Sequence, residues 1–294
     1  MNDLAQALAP LALQEGYNPT RLNGIGVYKA SQHREREPLC YSQGIIVVVQ
    51  GAKRVYLDEQ IYEYNSNQYL VMTLPIPAEC ETLASPEKPL LALVMDINMA
   101  LLQPLVRLFD EHHQIPSESD KTSSHRCLYV SEITEALECA VLKLCQCLES
   151  PLDTAALGEG VLREILFLIL SGEQAAPLFS LARHNTHLAK MERVLSYMHQ
   201  HYSEPLDVEQ LSSLANMSSS SFHRRFRQAT GSSPVQYLKK FRLTRARELL
   251  QDKGVKVKQA ATQVGYESPN QFSREFKRYF GLSPQDSSGA SPIA

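Results

Sequence analysis

The sequence predicts an α+β chain in two unlike parts, an antiparallel β-rich front with helices behind it and an all-helical back. Three observations predict it. Short β-branched and aromatic runs broken by turn residues crowd the stretch between Gly44 and Asp96, helical periodicity takes over from Asn98, and the sign of the charge changes near Asn185. From Thr186 onward 16 Lys and Arg stand against 9 Asp and Glu, whereas the residues before it carry 13 and 23. With 44% hydrophobic and 21% charged residues in 294, the chain has enough apolar surface for a core in each part. A basic back behind an acidic front points to a polyanionic partner for the back alone.

Taken in order, residues 1–10 contain Asp3 and no basic segment before an apolar one. They do not read as a secretory leader, and the protein is expected in the cytoplasm. Runs at 45–49, 54–57, 69–72 and 90–94 have the length and composition of strands in an antiparallel sandwich or barrel. Helices are expected at 98–112, 131–148 and 155–171. The most apolar segment, 165–170, falls far short of the roughly 20 residues of a membrane span and reads as a buried helix, so no membrane partner is expected. Cys40, Cys80, Cys127, Cys139, Cys145 and Cys147 lack the paired CxxC spacing of a zinc site and are expected reduced. Cys40 and Cys80, on the β part, are the candidates for contact with an effector or oxidant. The turn-rich stretch 172–185 ends the front part.

The back part repeats itself. Shifted by 50 residues, it aligns Ala215 with Gly265, Ser218 with Ser268, Phe222 with Phe272, Arg224 with Arg274, and Phe226 with Phe276. The match continues through Arg227 and Lys277, Gly231 and Gly281, Ser233 and Ser283, and Pro234 and Pro284. In each unit an apolar helix (206–216; 257–264) is followed by a serine where an N-cap belongs, then by a helix with Phe at i and i+4. The paired phenylalanines face inward on one stripe, which leaves Ser220, His223 and Arg224, or Asn270, Gln271 and Arg274, outward.

This is the plan of two helix-turn-helix units, each offering its second helix to the major groove of double-stranded DNA. Arg pairs bidentately with guanine and Asn or Gln with adenine, so those six residues are the base-reading candidates. Ser218, Arg227, Ser268, Lys277 and Arg278 are the candidates for phosphate contact. Residues 234–252 read as one helix of about 28 Å. That is near the roughly 34 Å between successive major-groove openings, so one chain can insert both second helices.

At these residues the sequence resembles the AraC/XylS family of bacterial transcription regulators. The resemblance runs from about Leu188 to Pro284 and is carried above all by Ala260, Ala261, Val264, Gly265, Tyr266, Ser268, Phe272, Ser273, Arg274, Phe276, Lys277, Tyr279, Phe280, Gly281, Ser283 and Pro284. It implies a sequence-specific, effector-responsive activator without a cofactor, and RNA polymerase as a partner. Gln50-Gly51-x-Lys53, Tyr69-Leu70-Val71 and residues 84–89 are similar to the N-terminal domain of one subgroup, a cupin-like antiparallel β-barrel followed by helices, which senses a small-molecule effector. The implied division is a sensing domain at 1–172, a linker at 173–185, a tandem helix-turn-helix domain at 186–286 and a disordered tail at 287–294.

A metal-dependent enzyme on a cupin barrel needs convergent histidines on its strands. No histidine lies between Gly44 and Asp96, and His112 and His113 read as solvated helix surface, so neither metal nor catalysis is expected. A homodimer formed through the helix at 161–170, or through the one bearing Cys139, Cys145 and Cys147, is the remaining expectation for the front.

Overall fold

The computed structural model describes residues 3–112, 127–183, 186–252 and 254–287; His113 and the tail from 288 on lie outside the described residues. The chain opens with α1 (Asp3–Leu8) and a 3-10 turn (Ala9–Leu11). Nine strands follow: β1 (Gly16–Pro19), β2 (Ile25–Ala30), β3 (Arg34–Tyr41), β4 (Gly44–Gln50), β5 (Ala52–Leu57), β6 (Gln60–Asn65), β7 (Gln68–Met72), β8 (Ile76–Leu83) and β9 (Leu90–Asp96). After α2 (Met99–Glu111) come β10 (Leu128–Glu132), α3 (Glu135–Glu149), α4 (Pro151–Leu170) and α5 (Ala176–Ala182). The back part holds α6 (His187–Gln200), α7 (Val208–Leu214), α8 (Ser219–Thr230), α9 (Pro234–Asp252), α10 (Val257–Gln263), α11 (Pro269–Phe280) and α12 (Pro284–Ser287). Among the described residues no helix is long and apolar enough to cross a membrane.

The strands form two antiparallel sheets, one ordered β1-β2-β9-β4-β7-β10 and the other β3-β8-β5-β6, which agrees with the expected antiparallel sandwich or cupin-like barrel, the two sheets not closing into one. The chain crosses between the sheets at Gly51, whose φ of +82° suits glycine and where a Cβ would stand 2.9 Å from Leu90 Cα. The helix expected from Ser131 starts later. Residues 128–132 pair with β7 as a strand, and Thr134 then caps α3 by accepting the Leu137 amide at 3.3 Å. In the same way α4 starts earlier than its apolar period, because Ser150 caps it and Pro151 fits the first turn. The stretch read as a linker contains α5, which buries Leu178, Phe179 and Leu181.

The two helix-turn-helix units are built alike but not at one offset. The amide of Met217 bonds to Ser212 O, and that of Tyr266 to Ala261 O, which places the first helices and turns 49 residues apart. The second helices, capped by Ser218 and Ser268 and ended by left-handed Gly231 and Gly281, are 50 apart. The second turn therefore carries one extra residue, and the structural partner of Gly265 is Asn216 rather than Ala215. Both have positive φ, 52° at Asn216 and 82° at Gly265. Asn tolerates that region, but a Cβ on Gly265 would lie 2.3 Å from Ser203 O.

Two cores meet along α9. Tyr237 and Phe241 belong to a continuous core that runs from the sheets through the first unit, with Phe222 and Phe226. Leu243, Ala246 and Leu250 belong to a separate core with Ala260, Ala261, Val264, Phe272 and Phe276. All four paired phenylalanines are fully buried, each pair with ring centroids 5.5 Å apart. Gly265→Ala is expected to lower the unfolding free energy by about 2 kcal/mol or more, from left-handed strain and the backbone clash, whereas Asn216→Gly should stay within about 1 kcal/mol of the parent. Urea unfolding of the two variants checks this.

Candidate nucleic-acid interface and the cavity behind it

Helices α8 and α11 hold their polar faces outward because their apolar faces are fixed. The phenylalanine pairs anchor one side, and the capping serines, which accept the amides of Ser221 and Gln271, fix where each helix begins. On α8, Ser220, His223, Arg224 and Arg227 are all exposed; on α11, so are Asn270, Gln271, Arg274, Lys277 and Arg278. Every base-reading and phosphate candidate is thus exposed, grouped on two helices joined by the rod α9, with Arg224 and Arg227 also lining a recess shared with Asp58 and Glu59 of the β5–β6 turn. Ser218 and Ser268 carry both duties assigned to them only if each hydroxyl serves the helix cap and a phosphate together. The base of α11 is braced by a network that sequence reading did not find: Glu275 accepts from Tyr266 OH at 2.8 Å and pairs with Lys239 of α9 at 3.0 Å. Those partners hold the Glu275 carboxyl below its ordinary range despite partial burial, so it stays ionised.

Behind the rod lies a cavity of about 370 Å³ between the sheets and α9. From the sheets it takes apolar walls such as Ile46, Val48, Met72 and Val94, together with Tyr28, Tyr41, Tyr64 and Lys53; from α9 it takes Thr244, Arg247, Glu248 and Gln251. Lys53 of β5 is 6% exposed, and its ammonium stands 5.1 and 5.3 Å from the ring centroids of Tyr28 and Tyr41. Burial works against that charge, but Cys80, Tyr64, Tyr28 and Glu37 around it outweigh burial and leave its pKa above the ordinary lysine value. Lys53 is charged at neutral pH. Arg247 pairs with Glu37 of β3 at 3.3 Å and lies over the Phe280 ring at 4.8 Å, so it touches the sheet and the second unit at once.

Of the two cysteine candidates, Cys40 lines this cavity, while Cys80 is buried beside Lys53. Burial pushes the Cys40 thiol up to about 12 and raises Cys80 also, so both are protonated and weakly nucleophilic at neutral pH. Among the described residues no group of three His, Cys, Asp or Glu could hold a metal ion. Lys53 was visible in the sequence only as part of a motif, and the α9 residues only as a rod. Their convergence depends on how α9 docks.

Comparison with known proteins agrees with this arrangement. Residues 21–177 match the family described as AraC-type transcriptional regulator N-terminus, and residues 211–288 match a helix-turn-helix domain. The chain is 31% identical over 108 residues to the HTH-type transcriptional regulator GbdR of Pseudomonas aeruginosa, covering 37% of this chain and 29% of that protein. It is 32% identical over 136 residues to the HTH-type transcriptional activator RhaS of Citrobacter koseri, covering 46% and 47%. The chain therefore spans less than half the length of these curated relatives. The crystal structure of ToxT from Vibrio cholerae superposes with a TM-score of 0.62 at 12% identity, over 90% of this chain and 97% of that one. That likeness is one of fold.

The docking of α9 runs through a buried relay. His199 of α6 stacks on Phe241 at 3.8 Å, its Nε2 meets Tyr237 OH at 2.8 Å, and that hydroxyl donates to Pro75 O between β7 and β8 at 2.8 Å. With the Tyr237 proton given to Pro75, the neutral His199 ring carries its proton on Nε2 and donates it to the Tyr237 hydroxyl oxygen. Burial, helped by Arg245, lowers the His199 pKa from 6.5 to about 4. The unfolded chain takes up a proton that the folded chain refuses, so the stability from the neutral ring is whole above pH 6.5 and is lost as pH falls toward about 4. Urea unfolding is expected to lose up to about 1.4 kcal/mol per pH unit in that window, and less in His199→Gln.

Proposed function

Because the chain belongs to the AraC-type transcriptional regulators, we propose that it is a sequence-specific DNA-binding regulator, an effector-responsive activator that reads two adjacent major grooves with α8 and α11. One observation carries the reading. Two serine-capped helices, each held from beneath by a buried phenylalanine pair, leave their entire predicted reading faces exposed on a single rod. Ser220, His223, Arg224, Asn270, Gln271 and Arg274 discriminate bases. Arg227, Lys277, Arg278 and the capping serines fix register on the phosphates.

The division proposed is a sensing domain at 1–172, a connection at 173–185 that includes α5, and a DNA-binding domain at 186–286. The cavity is the effector site, and it is roofed by the helix that spaces the two readers. An effector there has different contacts when α9 is docked and when it is displaced, which is the condition for coupling two sites. RNA polymerase is the partner of the DNA-bound form. A homodimer is supported by α4, where Leu157 and Phe167 stand 52% and 47% exposed.

Affinity selection with the full-length protein at two salt concentrations is expected to enrich a non-palindromic site with two contact blocks about one DNA turn apart; salt-sensitive binding without sequence preference would remove the reading. Arg274→Ala should relax specificity at one base pair at a cost of about 1–3 kcal/mol, while Lys277→Ala should weaken every sequence and shallow the salt slope by about one. In sedimentation, Phe167→Glu should shift the protein toward monomer at concentrations where the parent associates.

A further inference from the structure

One reading candidate on α11 is held by a partner that is itself fixed from beneath. Gln271 is the third residue of the helix after its cap, Ser268, and a Ser-x-x-Gln start ordinarily closes a capping box. In that box the serine hydroxyl accepts the glutamine amide, and the glutamine side chain reaches back to the serine amide. Here only the first half is made. The Gln271 amide donates to Ser268 Oγ at 3.3 Å, but the side chain is turned along the helix, where Nε2 donates to Glu275 Oε1 at 3.4 Å. Among the described residues no group donates to Gln271 Oε1. A pair at i and i+4 on a free helix surface adds little and holds neither side chain still. Glu275 is not free. Its Oε2 accepts from Tyr266 OH at 2.8 Å and meets Lys239 Nζ at 3.0 Å, and the Glu275 and Lys239 side chains are each 21% exposed. Those contacts come from the turn before α11 and from the rod α9, so two other elements set where the carboxylate stands.

We propose that Glu275 is a positioning residue for base recognition: from its place between Tyr266 and Lys239 it holds the Gln271 side chain out of the capping box, and so sets the discrimination at the base pair that Gln271 reads. The inference rests on the reading of α11 as a base-reading helix and names the residue that orients one of its readers. An ionised carboxylate only accepts, so it draws the NH2 end of the Gln271 amide and repels the carbonyl end. The amide therefore stands one way round, with Oε1 and the second N–H of Nε2 left for DNA. Those are the acceptor and the donor that glutamine offers to adenine. Glu275 does not read a base itself, since both its oxygens are engaged. Lys239 completes the device by cancelling a negative charge that would otherwise stand against the phosphates. Without Glu275, Gln271 is released to close the capping box, where its carbonyl is taken up by the Ser268 amide. The first unit has none of these groups. The structural partners of Tyr266, Gln271 and Glu275 there are Met217, Ser221 and Arg225, and Arg225 donates to Gln228 at 3.3 Å. The second unit thus brings a reader oriented before DNA arrives, which lowers the ordering cost of binding.

Binding of the full-length protein to its selected DNA site, and to duplexes that each carry one base-pair change, tests the assignment. The readout is the ratio of affinities between duplexes, because freeing Lys239 raises affinity for all of them alike. Gln271→Ala is expected to flatten the preference at one base pair by about tenfold. Glu275→Gln keeps the size and shape of the side chain but leaves a single acceptor, which Lys239 claims. It should flatten the preference at that same base pair by about threefold or more, with the ratios elsewhere unchanged. Glu275→Met, which removes both acceptors, should do the same; the isosteric Glu275→Gln decides the matter if Glu275→Met does not fold. Added to Gln271→Ala, either change should have no further effect at that base pair. A preference weakened at every base pair alike, weakened at a different one, or unchanged in both Glu275 variants overturns the positioning role and leaves Gln271 as a reader. If Gln271→Ala flattens no base pair, reading by Gln271 falls, and the inference falls with it.

Discussion

Everything in this molecule depends on the burial of one helix on several sides. A surface helix buries one stripe, but α9 places Tyr237 and Phe241 in the core shared with the sheets and Leu243, Ala246 and Leu250 in the core of the second unit. Its polar residues are committed as well. Arg247 reaches Glu37 on β3, Lys239 reaches Glu275 on α11, and Arg242 donates to the carbonyls of Tyr202 and Glu204 after α6. The relative placement of α8, α11 and the sheets follows from these contacts, since each element packs on a different side of the same rod.

The cavity is a by-product of that packing with its own chemistry. The strands leave a gap, and α9 lines it with side chains of mixed character. The apolar strands facing the gap would make an ordinary core, were it not for Lys53 and the tyrosines. Around this lysine, phenols, a thiol and Glu37 outweigh burial and leave its pKa above the ordinary value. The structure thus tolerates a polar interior at the place where its two halves meet.

The sequence made the helical back legible in detail because its signals are local: serine before the helix, phenylalanines one turn apart, glycine after it, proline opening α9. The bounds of α9 follow from Pro234 and Gly254 alone. The one-residue difference between the two turns was hidden, because Asn216 and Gly265 meet the same backbone demand with different residues, and the strong matches of the second helices drew the alignment to a single offset. In the front, strands such as β4 and β9 showed through their β-branched runs. Strands β3 and β8 did not, since β3 begins Arg34-Glu35-Arg36-Glu37 and buries only Leu39 and Tyr41, while β8 alternates Glu79 and Glu81 with buried Ala78 and Cys80. Strand β10 does not show in the sequence, and its last two residues, Ser131 and Glu132, fall in the expected helix, because its pairing with β7 is long-range. The cavity was illegible for the same reason. No spacing in the chain announces that Lys53 and Arg247, nearly two hundred positions apart, share one space.

The dual use of α9 bears on how such a protein can change over generations. Thr244, Arg247 and Gln251 fall on one side of the helix at spacings of three and four, while its length and opposite sides are tied to the separation of the two reading helices. If the cavity takes the effector and α8 and α11 read DNA, as proposed, insertion or deletion within the rod alters input and output together. The strand residues that form the floor of the cavity carry no such double obligation. On that reading, new chemical inputs can arise by drift in the floor while the rod, and with it the address on the chromosome, is kept unchanged.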